Sequence, residues 1–151
     1  LVKGISQKYL IGQEDDRAPL NTIHDCGTYL MDRFLGRRDE TVMLLCLDAR
    51  RVPLACRIVS EGSVNTAEVS VRKVVEAALA VNATTAVLAH NHPSGVAFPS
   101  VEDRACTLRL ATALYAVDIT LADHFVIAED DYVSMLQSNY YCPKDVTDYF
   151  G

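Results

Sequence analysis

The chain drops from an apolar run, Thr85-Ala86-Val87-Leu88-Ala89, directly into His90-Asn91-His92-Pro93-Ser94-Gly95, and then into an amphipathic stretch from Arg104 to Val117. Few folds accommodate that order. A short apolar run without polar alternation suits a buried strand. The Pro/Gly segment after it is a tight loop. The amphipathic stretch is a helix, expected from about Ser100 to Ala116. A strand that delivers polar residues to its carboxyl end, just ahead of a helix, is a common place for chemistry in sheets flanked by helices.

The rest of the chain alternates in the same way. Ile23, Cys26, Leu30, Met31, Phe34 and Leu35 recur mostly at three- and four-residue intervals, so they mark one face of a helix. Asn21 or Thr22 can cap that helix and Gly36 can end it. Glu40 to Leu47 and Val52 to Ser60 read as two strands joined by a turn over 48–51, a hairpin. Pro53 places the second strand at an edge or a bulge. Ser63 to Val69 is a connection. Ser70 can cap a helix to about Val81, with Val71, Val74, Val75, Ala78 and Leu79 buried. The helix after the central loop should turn Ala105, Leu108, Ala111, Thr112 and Tyr115 inward. Asp118 to Ala128 is a further strand pattern, interrupted by Asp123-His124, and Tyr132 to Ser134 a short last strand. The order α-β-β-α-β-α-β-β predicts a mixed sheet with helices packed on it.

A chain of 151 residues is long enough for one domain with a real core. We divide it into an N-terminal arm over 1–20 and a single domain over 21–151, with a tail of no clear period from about Gln137. It opens on Leu1 rather than Met, as a fragment would. The net charge of −6 opposes nucleic-acid binding, which needs a positive face. The Arg37-Arg38 and Arg50-Arg51 pairs read as solvated surface charge. Five cysteines, an odd number with no CxxC, fit reduced thiols in a cytoplasmic protein. With no signal peptide and no long apolar run, neither secretion nor membrane insertion is expected.

His90 and His92 stand at i and i+2 of an extended segment, on one side and about 6.5–7 Å apart at Cα. Two imidazoles at that spacing can reach one ion, and Asp103, in the first turn of the next helix, can supply a third ligand. Three protein ligands with one open position is the pattern of a catalytic zinc. Ser100 can place a hydroxyl beside the open position. The base that hydrolysis requires is either Glu40, ahead of an apolar strand, or Glu61, at the end of the next one. Spacing alone leaves both open, and Glu68, Glu76 and Glu102 are weaker competitors. Ser100-x-x-Asp103 is also a helix-capping pattern, which would make both residues structural. His24 lies off its helical stripe and reads as surface. His124 reads either as a hydrogen-bonded core histidine or as a group that orients a metal ligand.

Taken together, His90-x-His92-Pro93, six further residues, Ser100, two more and Asp103 resemble the motif of the JAMM metallopeptidases, the JAB/MPN domain. That motif also has a glutamate far upstream, just before an early apolar strand, and Glu40 before Thr41-Val42-Met43-Leu44-Leu45 fits that place better than Glu61. The wording His-Asn-His-Pro-Ser-Gly, with Asp123-His124-Phe125-Val126-Ile127 downstream, is similar to the bacterial RadC branch in particular. The resemblance covers about Glu40 to Met135. It implies a cytidine-deaminase-like, three-layer α/β/α sandwich. It also implies zinc on His90, His92 and Asp103, Glu40 handling the water, and Ser100 assisting. RadC-like proteins usually carry a helix-hairpin-helix domain ahead of this one.

The resulting expectation is a zinc-dependent hydrolase cleaving a peptide or isopeptide bond in a protein or peptide substrate. The alternative is a DNA-repair accessory or nucleic-acid-associated module whose metal site is idle or structural. Three letters, His-Asn-His, do not make an HNH nuclease, which needs a ββα-metal arrangement with further ligands.

Overall fold

The computed structural model describes residues 17–62, 65–93 and 95–150. Most of the expected arm, and Ser94 of the central loop, lie outside the described residues. The elements are α1 (Ile23–Phe34), β1 (Thr41–Leu47), β2 (Pro53–Glu61), a 3-10 turn over Thr66–Glu68, α2 (Val71–Ala80), β3 (Thr85–Asn91), α3 (Val101–Tyr115), β4 (Thr120–Ile127), β5 (Tyr132–Ser134) and α4 (Lys144–Phe150). The expected strands and first three helices form within a residue or two of their anticipated bounds.

The strands make one mixed sheet in the order β2-β1-β3-β4-β5. β1 is antiparallel to both β2 and β3, while β3 and β4 run parallel with α3 as the crossover. β2 is an edge strand, which is where a proline at its first residue does least harm to a ladder. Helices cover both faces, so the sheet is the middle of three layers. Alternate residues of the central strands serve opposite layers. Met43, Leu45, Leu47, Val87, Ala89, Phe125 and Ile127 pack with Cys26, Leu30 and Phe34 of α1. Val42, Leu44, Cys46, Ala86 and Leu88 pack with Val74 and Ala78 of α2 and with Cys106, Leu110 and Leu114 of α3. Burial on both faces is why β1 reads as an unbroken apolar run.

Several inward-facing assignments need correction. Leu35 and Leu79 are exposed, because each lies at the last turn of its helix, where the element leaves the sheet. On α3 the buried stripe is Asp103, Cys106, Thr107, Leu110, Ala111 and Leu114, whereas Ala105 and Tyr115 face solvent. A stripe that includes a carboxylate and a hydroxyl has little apolar contrast, so hydrophobic periodicity misplaces its phase. Arg51 is not a simply solvated charge, since its guanidinium Nε donates to the Leu20 carbonyl at 2.8 Å. The tail is also more ordered than its lack of period suggests. Tyr141 and Val146 join the α3-side core, and the Tyr141 hydroxyl donates to the Leu121 carbonyl. Seven residues of α4 are too few for a period to register in sequence.

One irregularity in β4 matters for the site. Ala86 pairs with Leu121, but Val87 pairs with Asp123, so Ala122 is an extra residue. Leu121 belongs to the α3-side core, while Ala122 packs toward α1. The bulge restarts the alternation so that Phe125 and Ile127 face α1, leaving His124 on the α3 side opposite Leu88. Without it, a residue three beyond Leu121 would face α1.

Candidate metal centre

β3 ends with His90 on the same face as Ala86 and Leu88, and the chain leaves the sheet at His92, whose amide donates to Ile127 O at 2.8 Å. The turn that follows is closed by the Gly95 amide on His92 O at 3.0 Å, with Gly95 at φ +91°, a backbone region that glycine occupies without steric cost. Five residues after Gly95, Ser100 caps α3 with a complete capping box. The Asp103 amide donates to Ser100 Oγ at 3.0 Å, and the Ser100 amide donates to Asp103 Oδ2 at 2.8 Å. The capping pattern is thus structural, and it also aims the Asp103 carboxylate at the end of β3.

His90, His92 and Asp103 converge, with ligand atoms all within 4.8 Å of one another. The two Nε2 atoms are 2.9 Å apart; Asp103 Oδ1 lies 3.5 Å from that of His90 and Oδ2 4.0 Å from that of His92. Donors on one tetrahedral zinc, with bonds of about 2.0–2.2 Å, sit roughly 3.3 Å apart, so this spacing fits a single ion. His92 Nδ1 lies 2.9 Å from Val96 O, which can only accept. Nδ1 therefore carries a hydrogen, and Nε2 faces the cluster. Two nitrogens and one carboxylate oxygen form a donor set suited to zinc or a similar transition metal.

His90 and Asp103 are almost wholly buried, whereas His92 is partly open to the cleft. Burial disfavours the Asp103 anion. The His90 imidazole beside it and the Ser100 amide outweigh burial and hold the carboxyl well below the usual aspartate range. Thr66 of the 3-10 turn donates to Asp103 Oδ1 at 3.0 Å. Behind His90, its Nδ1 lies 2.7 Å from His124 Nε2, and His124 Nδ1 lies 2.6 Å from Thr107 Oγ1. Burial, above all, pushes His124 well below the usual imidazole range, so it is neutral. Asp123 turns the other way. It accepts from Ser134 Oγ and from the amides of His124 and Leu136, joining β4 to β5 and the turn beyond.

A cleft of about 410 Å³ opens on the cluster, lined by Glu40, Thr41, Val42, Asn65, Thr66, His90, Asn91, His92, Ser100, Glu102 and Asp103. Both Glu40 and Ser100 therefore stand at the same opening as the three ligand residues. Glu61 does not line it; its carboxylate lies 3.5 Å from Arg37. Glu76 is paired with Arg72 on the surface of α2. Glu102 is a second exposed carboxylate at the cleft. Asn91 fixes the segment carrying Glu40, because its Oδ1 accepts the Thr41 amide at 2.7 Å and its Nδ2 donates to Asp39 O at 3.0 Å. His24 is exposed and touches the Tyr132 hydroxyl at 3.3 Å, away from the cluster. Sequence reasoning missed Thr66, Asn91 and Thr107. Only Thr107 left a signal, standing one turn beyond Asp103 on the same helical face.

The site and its sheet match a known family. A family model, the RadC-like JAB domain, matches residues 20–140, and the chain belongs to that family. Its relatives include a UPF0758 protein of Stenotrophomonas maltophilia, 39% identical over 140 residues, which are 92% of this chain and 60% of the relative. A UPF0758 protein of Vibrio vulnificus is 38% identical over 88% of this chain and 59% of its own length. A third, from Methylibium petroleiphilum, is 44% identical over 72% of this chain and 49% of its own. The chain spans about three-fifths of the length of the first two relatives. Among the described residues, no helix is long and apolar enough to cross a membrane.

Proposed function

We propose that this domain is a zinc-dependent hydrolase of the JAMM type that cleaves a peptide or isopeptide bond. The observation that carries the reading is the convergence of two imidazoles and one buried carboxylate at the floor of a cleft that Glu40 and Ser100 also line. His90, His92 and Asp103 would hold the ion. Zinc held there would supply Lewis acidity and make water acidic enough to give up a proton near neutral pH. Glu40, at the mouth of the cleft, takes a proton from the attacking water and returns it to the leaving amine. Ser100 Oγ, already accepting the Asp103 amide, has its own hydrogen available to donate to an oxygen at the cleft. The exposed apolar side chains of Val96, Phe98 and Val101, in the segment around Ser100, give an extended polypeptide something to rest on. The acidic balance supports a protein substrate over nucleic acid.

The test is zinc content of the purified chain together with hydrolysis of a peptide and isopeptide panel. About one zinc per chain, with cleavage lost in Glu40→Gln, is expected. A zinc-free protein, or a zinc-loaded one with no cleavage and tight, salt-sensitive DNA binding, would replace this reading with the nucleic-acid-associated one.

A further inference from the structure

We propose that Thr107 and His124 form a proton-ordered relay that fixes His90 as the tautomer whose Nε2 lone pair faces Asp103 and His92. Both act through His90, so they are positioning residues. The ordering follows from one end. Asp103 O is a main-chain carbonyl and can only accept, and Thr107 Oγ1 lies 2.6 Å from it. Two oxygens that close need a proton between them, so the Thr107 hydroxyl hydrogen is committed there. Toward His124 Nδ1, also 2.6 Å away, the same oxygen can therefore only accept. His124 carries its hydrogen on Nδ1 and has a bare Nε2. That atom lies 2.7 Å from His90 Nδ1, which must then donate. His90 Nε2 is left with its lone pair, aimed at the other two ligand residues.

The reverse ordering fails at its first step. A hydrogen on His124 Nε2 would draw the Thr107 proton to Nδ1 and leave two oxygens facing each other at 2.6 Å with none between them. Solvent offers no substitute partner, since Thr107 is 0% and His124 1% exposed. The chain also closes on one residue. It starts at the backbone of Asp103 and ends 3.5 Å from the Asp103 carboxylate. A single stretch of α3 thus supplies one ligand and sets the tautomer of another. The Ala122 bulge is what brings His124 to this face. The relay's use rests on the metal-site reading; its geometry does not.

The experiment is nitrogen NMR of the full chain, metal-free and with zinc added, alongside zinc titration of four variants. His124 should be the Nδ1–H tautomer in both states. His124→Phe keeps an aromatic ring, slightly larger, and removes the acceptor, and should weaken zinc about 10–100-fold. His124→Gln presents a carbonyl oxygen to His90 Nδ1 and should recover most of that loss. If His124→Phe does not fold, Thr107→Val against Thr107→Ser makes the same comparison, with a loss of about tenfold only in the valine variant. His124 found as Nε2–H overturns the relay. So does His124→Gln binding zinc as weakly as His124→Phe with both folded, or Thr107→Ser as weakly as Thr107→Val. A wild type that takes up no zinc but shows the Nδ1–H tautomer overturns the metal reading and leaves the relay standing.

Discussion

Helices α1 and α3 begin with the same device. Thr22 and Asp25 form a complete capping box at the first, and Ser100 and Asp103 form one at the second. In α1 the box lies at the surface and only satisfies orphan amides. In α3 the aspartate is 2% exposed and sits against His90 and His92. A cap is thus neutral as evidence of function. What differs is the surroundings. α1 packs through Cys26, Leu30 and Phe34 on apolar residues of one sheet face, whereas the first turn of α3 sits against His90, at the end of the other face. A carboxylate that a cap holds rigidly is already oriented, and that suits a metal ligand.

The largest effect that would break this comparison concerns metal content. His92→Ala should abolish zinc retention and Asp103→Asn should weaken it severely, while Asp25→Asn leaves it unchanged, all read by elemental analysis after dialysis. Lowering the pH should release the ion from the wild type, because the ligand imidazoles must be neutral to bind. If Asp25→Asn strips zinc as well, the two boxes are not functionally distinct.

Next in size is catalysis. Glu40→Gln should keep its zinc and lose about 10²–10⁴-fold in turnover, the usual contribution of a general base. Full activity in that variant, or lost zinc, would shift attention to Glu102 at the same cleft and to Glu61.

Core truncation is expected to separate the two layers. Leu30 of α1 is fully buried on the face opposite the cluster. Leu30→Ala should cost about 2–5 kcal/mol in denaturant unfolding of the metal-free protein. Zinc affinity in the folded protein should be unchanged; a drop would mean that α1 supports the site after all.

The caps themselves give a smaller difference. Thr22→Ala and Ser100→Ala should each lower stability by about 0.5–2 kcal/mol. Only Ser100→Ala should also weaken zinc, since it frees the Asp103 backbone. Equal zinc affinity in both variants would reduce Ser100 to a cap without influence on the ligand.

The smallest effect is on acid stability. Asp25 is held below its usual pKa, first by the Thr22 hydroxyl and then by backbone hydrogen bonds. A depressed folded pKa means its contribution is complete above the unfolded value of about 3.9 and is lost as pH falls through the folded one. Asp25→Asn should therefore flatten the acid limb of the unfolding midpoint slightly, by lowering stability a little at neutral pH and leaving it unchanged once the pH is below the folded pKa.

Much of this was legible in order and period alone. The buried strand Thr85–Asn91, the hairpin of β1 and β2, and the alternation of helix and strand follow from where apolar residues stop and Pro, Gly and capping residues begin. His90, His92 and Asp103 were visible because strand geometry and a first helical turn are local, and local spacing survives in sequence. The phase of α3 was not, since its buried stripe includes Asp103 and Thr107. Nor was the choice between Glu40 and Glu61 at the cleft. They stand side by side at the open end of the hairpin, where Thr41 pairs with Glu61, and only the pairing of β1 with β3, with Asn91 gripping residues 39–41, puts Glu40 at the opening and leaves Glu61 with Arg37. His124 depended on tertiary structure most of all. A one-residue bulge reverses which face a strand residue occupies, and no apolar pattern marks a bulge. Sequence determines what a turn or a cap can do; the partner across a sheet is decided by register, which is a property of the whole fold.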